Sequence, residues 1–225
     1  MKTILKLTAL FTLLSITVFS CSKLDVVGNY SVRSFDELLQ TAPQLVSEDK
    51  ANAAWYIIAP DRSVRFIWSK NFAESPLYDV MLEFNAAPFI AAGLNPSKLP
   101  GNFIYGNGTL TVGTKLGNER LSYQGEVSPL ASYEQIVKLK RGNIGYHMQM
   151  DHYGISLGNG NMFEWAKNLA ANDKDIVFVL DPEPFIAAGV NPDKIDGWAF
   201  AKVTVDDKNG KPVQVDKILK PFNLK

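Results

Sequence analysis

A chain of 225 residues, 46% of them hydrophobic and 20% charged, can bury a sizeable core, either as one large domain or as two of roughly 100 residues each. Lys2 and Lys6 are the only charges among the first twenty residues; without them, 21 basic residues stand against 23 acidic ones. Such a balance offers no basic face to neutralise a string of phosphates, which excludes nucleic acid as the expected partner.

The N-terminus is the most legible segment. A short basic head containing Lys2 and Lys6 precedes the apolar run 7–19, and Ser20 then precedes Cys21. The run is too short to span a bilayer core, which takes about 20 residues. Basic head, apolar middle and small residue at the cut are the parts of a secretory signal. Val18-Phe19-Ser20-Cys21 resembles the lipobox of bacterial lipoproteins, in which an aliphatic and a small residue precede an invariant Cys. The resemblance covers about the first 22 residues. It implies that residues 1–20 are removed and that Cys21 carries the lipid, palmitate included, with residues 21–29 as a tether. Cys21 is the one cysteine of the chain, so it is not half of an internal disulfide. Two or three acyl chains anchor stably where one does not. Ser22 stands where an Asp would suggest inner-membrane retention, so the expected place is the outer membrane, facing the periplasm or the cell surface.

The mature part is one unit written twice. Pro88-Phe89-Ile90-Ala91-Ala92-Gly93-Leu94-Asn95-Pro96 returns as Pro184-Phe185-Ile186-Ala187-Ala188-Gly189-Val190-Asn191-Pro192. At the same offset Asp79 matches Asp175, Lys98 matches Lys194 and Gly101 matches Gly197. Upstream the offset slips by one residue: Tyr56, Ile58, Phe66, Trp68, Lys70 and Asn71 match Tyr153, Ile155, Phe163, Trp165, Lys167 and Asn168. The copies run over 30–126 and 127–225 and join at about 126–132, a short link that contains Pro129, so the copies are expected to pack together instead of swinging free.

In chain order, each copy opens with a helix, because Ser34 with Glu37 and Ser132 with Gln135 have the spacing of capping boxes. Pro43 bends or ends the first helix, and Gly142-Asn143 ends the second. Residues 55–59 and 64–68 read as a hairpin around Pro60-Asp61-Arg62-Ser63, with Gly158-Asn159-Gly160-Asn161 at the matching turn. Residues 77–84 and 175–180 form a third strand; the second of these is apolar throughout and belongs in mid-sheet, covered on both faces. The repeated Phe-Ile-Ala-Ala-Gly segment is a helix of about two turns, with Gly93 and Gly189 just past its end. A closing hairpin follows, at 103–112 with 120–124 in the first copy and at 199–205 with 213–218 in the second. The expected fold is α+β, an internal duplication of an α-β-β-β-α-β-β unit, with mainly antiparallel sheets and helices on one face.

Chemistry is harder to read. His147 and His152 are the two histidines, in Tyr146-His147-Met148-Gln149-Met150-Asp151-His152. On an extended strand Met148, Met150 and His152 share one face, and two thioethers with an imidazole suit Cu(I). The plainer reading is core methionines beside solvated histidines. Phe89, Ile90, Phe185 and Ile186 either pack onto their sheets or line an apolar groove where the copies meet. Trp68 and Trp165 either anchor strand ends or join that lining. No nucleophile elbow surrounds any Ser, no phosphate-binding Gly loop opens a helix, and the acidic residues form no cluster along the chain. The expectation is therefore a non-catalytic, membrane-anchored envelope lipoprotein with a binding or structural role, its apolar ligand or envelope-protein partner at the inter-repeat groove. A copper-binding accessory protein and a hydrolase are the alternatives.

Overall fold

The computed structural model describes residues 22–75, 77–119, 127–169, 174–207 and 209–224, with side chains from Tyr30 onward except at Arg141. The first copy contributes α1 (Ser22–Thr41), β1 (Val46–Asp49), β2 (Ala54–Ile58), β3 (Val64–Ser69), β4 (Val80–Asn85), α2 (Ala87–Ala91), β5 (Phe103–Gly106) and β6 (Thr109–Thr114). The second contributes α3 (Pro129–Leu139), β7 (Ile144–His147), β8 (His152–Ser156), β9 (Met162–Ala166), β10 (Ile176–Leu180), α4 (Glu183–Ala187), β11 (Ala199–Asp206) and β12 (Pro212–Phe222). The six strands of each copy lie in the same order, β1-β2-β3-β4-β6-β5 and β7-β8-β9-β10-β12-β11, with antiparallel neighbours throughout. The fold is thus α+β, and the two like sheet units match the duplication read from the sequence. Among the described residues no helix is long and apolar enough to cross a membrane.

Four local expectations are corrected. Each unit holds one strand more than expected, β1 and β7, whose residues are half-buried or exposed and carry no alternating pattern. The helix expected from Ser34 begins at Ser22, so the tether 21–29 is helical from residue 22 and Ser34 lies in mid-helix. The second helix is capped by Ser128 and not by Ser132: Ser128 accepts from the Ala131 amide at 3.1 Å, with Pro129 at the first helical position. In the first copy the closing hairpin turns at Asn107-Gly108, where both φ angles are positive (53° and 76°), and β6 begins at Thr109; residues 120–124 lie outside the described residues.

The capping-box serines have a different use. Ser34 Oγ donates to the Ala166 carbonyl at 3.1 Å, and Ser132 Oγ donates to the Ser69 carbonyl at 2.8 Å. Each buried hydroxyl therefore ties its helix to a strand of the other copy. The opening helices reach across in the same sense, α1 against β7 and β9 and α3 against β3. One hydrophobic core results, drawing Phe66 and Phe84 from one copy and Phe163 and Phe178 from the other.

Down the middle of that core, residues meet their own equivalents. Phe35 stacks on Tyr133 at 3.8 Å and 18° between ring planes, flanked by Trp68 and Trp165 at 5.5 Å from Phe35. Phe66 stacks on Phe163 at 4.2 Å and 4°, and Phe89 meets Phe185 at 5.1 Å. Past them the chains touch through backbone. The Asn95 amide donates to the Ala188 carbonyl and the Asn191 amide to the Ala92 carbonyl, both at 2.9 Å. Gly93 and Gly189 sit at φ +109° and +101°, so close that a Cβ on either would fall within 3 Å of the other's carbonyl oxygen. The repeated nonapeptide is the joint between the copies. Away from the joint, buried Asp79 and Asp175 each fix the end of the last strand of their copy, accepting from the Leu116 amide at 2.6 Å and the Leu224 amide at 2.7 Å.

Candidate functional site

The structure closes the groove expected between the copies. Phe89, Phe185, Trp68 and Trp165 are all fully buried in the shared core, so the space they were expected to line is filled by their own side chains. Ile90 and Ile186 instead face outward, 42% and 48% exposed. Cys21 lies outside the described residues.

The Met148, Met150 and His152 set is not brought together either. The extended strand that would align them does not exist, because the chain reverses between β7 and β8 with Asp151 at φ +52°. Met148 is 67% exposed while His152 is 1% exposed, and Met150 packs beside Val177 and Val179. Among the described residues no group of three His, Cys, Asp or Glu side chains is gathered closely enough to hold a metal ion.

The reversal builds something else. It makes His147 and His152 cross-strand partners, and residues paired across antiparallel strands point to one face. On that face β9 presents Glu164, two residues from Ala166, the partner of His152. The Glu164 side chain is buried, and neither carboxylate oxygen has a hydrogen-bond donor. Nδ1 of His147 lies 3.1 Å from Oε1, an ion-pair contact off the line of a good hydrogen bond; Nδ1 of His152 lies 4.0 Å from Oε2. Nε2 of His152 is 2.7 Å from the Lys174 carbonyl, an acceptor, so this nitrogen carries a proton and donates it there.

These contacts split the two imidazoles. The Glu164 carboxylate holds His147 above the usual histidine range, against the opposing effect of burial, with Asp206 adding to the rise and Lys217 subtracting from it. Burial holds His152 below that range, despite its carbonyl bond and the nearby Glu164.

A cavity of about 370 Å³ lies over the cluster on the outer face of the second sheet. The β11–β12 hairpin, paired over eight positions, supplies one wall through Val203, Val205 and Val215. Met150, Met162 and Val179 line the cavity from the sheet; His147, Glu164, Asp206 and Lys217 are its charged members. Gly154 keeps the floor open, since a Cβ there would come 2.8 Å from Met162 Cε and 3.1 Å from Glu164 Cγ.

The first copy is a built-in control. Strand registers place Asp49, Ala54, Tyr56 and Ile67 where the second copy has His147, His152, Gly154 and Glu164. The same registers correct the sequence alignment by one residue here, matching Trp55 and Ile57 to Tyr153 and Ile155. The outer face of the first sheet carries a smaller cavity of about 220 Å³, where Arg65 lies over the Tyr56 ring and donates to Glu83 at 2.8 Å. Arg65 and Glu83 thus pair with each other, and Asp49 accepts from Asn52. Sequence reading missed Glu164, yet a signal was present: Phe66-Ile67-Trp68 returns as Phe163-Glu164-Trp165, a carboxylate where the fold accepts an isoleucine.

No protein-family model, curated protein or solved structure matches this chain.

Proposed function

We propose that the protein is a lipid-anchored envelope lipoprotein, held at the membrane through Cys21, that binds a small ligand without catalysis in the cavity of the second copy. The observation that carries the binding role is the difference between the copies. The joint keeps its residues nearly unchanged, while the outer face of one sheet has acquired a buried carboxylate and two imidazoles where its twin has Ile67, Ala54 and Asp49. Burying a charge costs stability unless it is well paired, so the fold gains nothing from Glu164 that Ile67 does not already supply. A concave, mainly apolar cavity with a few converging polar groups is the usual form of a small-molecule site. The lipobox-like segment supports the anchoring.

Anchoring is tested by Cys21→Ala: the variant is expected in the soluble fraction, without incorporation of labelled palmitate, and full membrane retention would defeat the claim. Binding is tested by filling the cavity. Val205→Trp is expected to abolish the thermal stabilisation given by small amphiphiles, and stabilisation that survives it would place the ligand elsewhere.

A further inference from the structure

We propose that the ligand of this cavity is a small amphiphilic acid, its carboxylate held between His147 and Lys217 and its apolar body lying along Met162, Val179, Val203 and Val205. The inference rests on the cavity reading above and names the ligand class. Glu164 is not the group a ligand meets first: its side chain is 2% exposed, against 19% for His147 in contact with it. The carboxylate is spent on the inner, Nδ1 edge of His147, where it favours the protonated imidazole. His147 lines the cavity with its Nδ1 edge engaged by Glu164, which leaves Nε2 for a ligand, and an N–H of a protonated imidazole is a strong donor to an anion. Lys217 lines the same cavity, with Nζ 3.1 Å from the Gly160 carbonyl, which takes one of its three protons and fixes its direction. Asp206 opposes this from the exposed end of β11. His147 and Lys217 are the two basic groups of a pocket whose Glu164 is withdrawn behind His147 and whose wall is otherwise mainly Val, Met and Leu, and that pattern fits an acid head on an apolar chain better than an amine.

The test compares three probes of one chain length and different heads, decanoate, decylamine and decan-1-ol, by calorimetric titration of the body 22–225, which contains both copies. Decanoate is expected to bind at least about tenfold more tightly than either of the others. His147→Gln and Lys217→Met are each expected to weaken decanoate binding by roughly fivefold or more, within the range of charge-assisted hydrogen bonds, while Lys98→Met, outside the cavity, leaves it unchanged. If His147→Gln does not fold, Lys217→Met decides alone. Tighter binding of decylamine would make Glu164 the anchor and overturn the acid, as would equal binding of decan-1-ol; in both cases the cavity itself stands as a site. No binding of any of the three would defeat the acid and the cavity reading together.

Discussion

Glu164 shows how a residue can be wrong for the fold and still belong to it. Its carboxylate is buried without a well-aligned hydrogen-bond donor, beside one imidazole whose pKa it raises and another whose pKa burial lowers. Replacing a buried ion pair by an apolar residue of similar size is often neutral or stabilising by about 1–4 kcal/mol, and the first copy shows that isoleucine fits this position. Glu164→Ile together with His147→Leu, which replaces both members of the pair by apolar residues, is therefore expected to leave the urea midpoint unchanged or raise it, and a loss of more than about 1 kcal/mol would contradict this account of the cluster. His147 gives the cluster a pH signature. Its folded pKa lies above the ordinary 6.5, raised by Glu164 and Asp206 and opposed by burial and Lys217. The stability it contributes is fully present below the unfolded value and is lost as the pH rises through the folded one. His152, held below 6.5, acts in the opposite sense, its contribution present above the unfolded value and lost as pH falls through the folded one. The stability gap between the wild type and His147→Gln should thus narrow from about pH 5 to 8, as read by urea unfolding; a gap that widens would reverse the assignment. Glu164 was legible only by comparison of the two copies, because one charged residue in a strand carries no motif.

At the scale of elements, the sequence was clearest where local chemistry and tertiary role agree. β10 reads as apolar throughout and is buried on both faces, Ile176, Phe178 and Leu180 in the main core and Val177 and Val179 in the outer patch. The nonapeptide reads as a short helix ending in glycine, and α2 and α4 are such helices. Reading failed where one residue type serves two purposes. Ser34 and Ser132 have the spacing of caps, but their hydroxyls serve strands of the opposite copy, a partnership between residues more than sixty positions apart that no local window contains. Asn107-Gly108 is the opposite case, a strong two-residue turn signal inside a stretch, 103–112, that otherwise reads as one strand. The joint makes a sharp prediction. Gly93→Ala adds both a clash with the Gly189 carbonyl, 2.5 Å from the new Cβ, and strain at φ +109°, each costing about 1–3 kcal/mol. Gly101→Ala meets open space within 4 Å and should change stability by less than about 0.5 kcal/mol. Equal thermal unfolding of the two variants would mean that the copies do not meet at the glycines.

For the whole molecule, the duplication was legible from the sequence but the interlocking was not, because a pattern along the chain does not say which copy's sheet a helix will cover. The shared core has a testable consequence. Unfolding should be a single transition, coincident by far-ultraviolet circular dichroism and tryptophan fluorescence, because α1 and α3 each complete the other copy. Residues 30–126 and 127–225 produced as separate chains should each fail to give a cooperative melt and should recover one when mixed; two independent melts would make the copies separate domains. The axial pairs carry a further meaning. Contacts of a residue with its own equivalent, Phe66 on Phe163 or Gly93 on Gly189, are those of an isologous interface, as two identical subunits make about a twofold axis. The chain has the form of a homodimer joined into one polypeptide, with its helices exchanged between halves. Identical subunits must carry every buried charge twice, once per protomer. Joined halves are free to differ, so the cost of Glu164 falls on one side only, and Ile67 on the other is left to hold the fold.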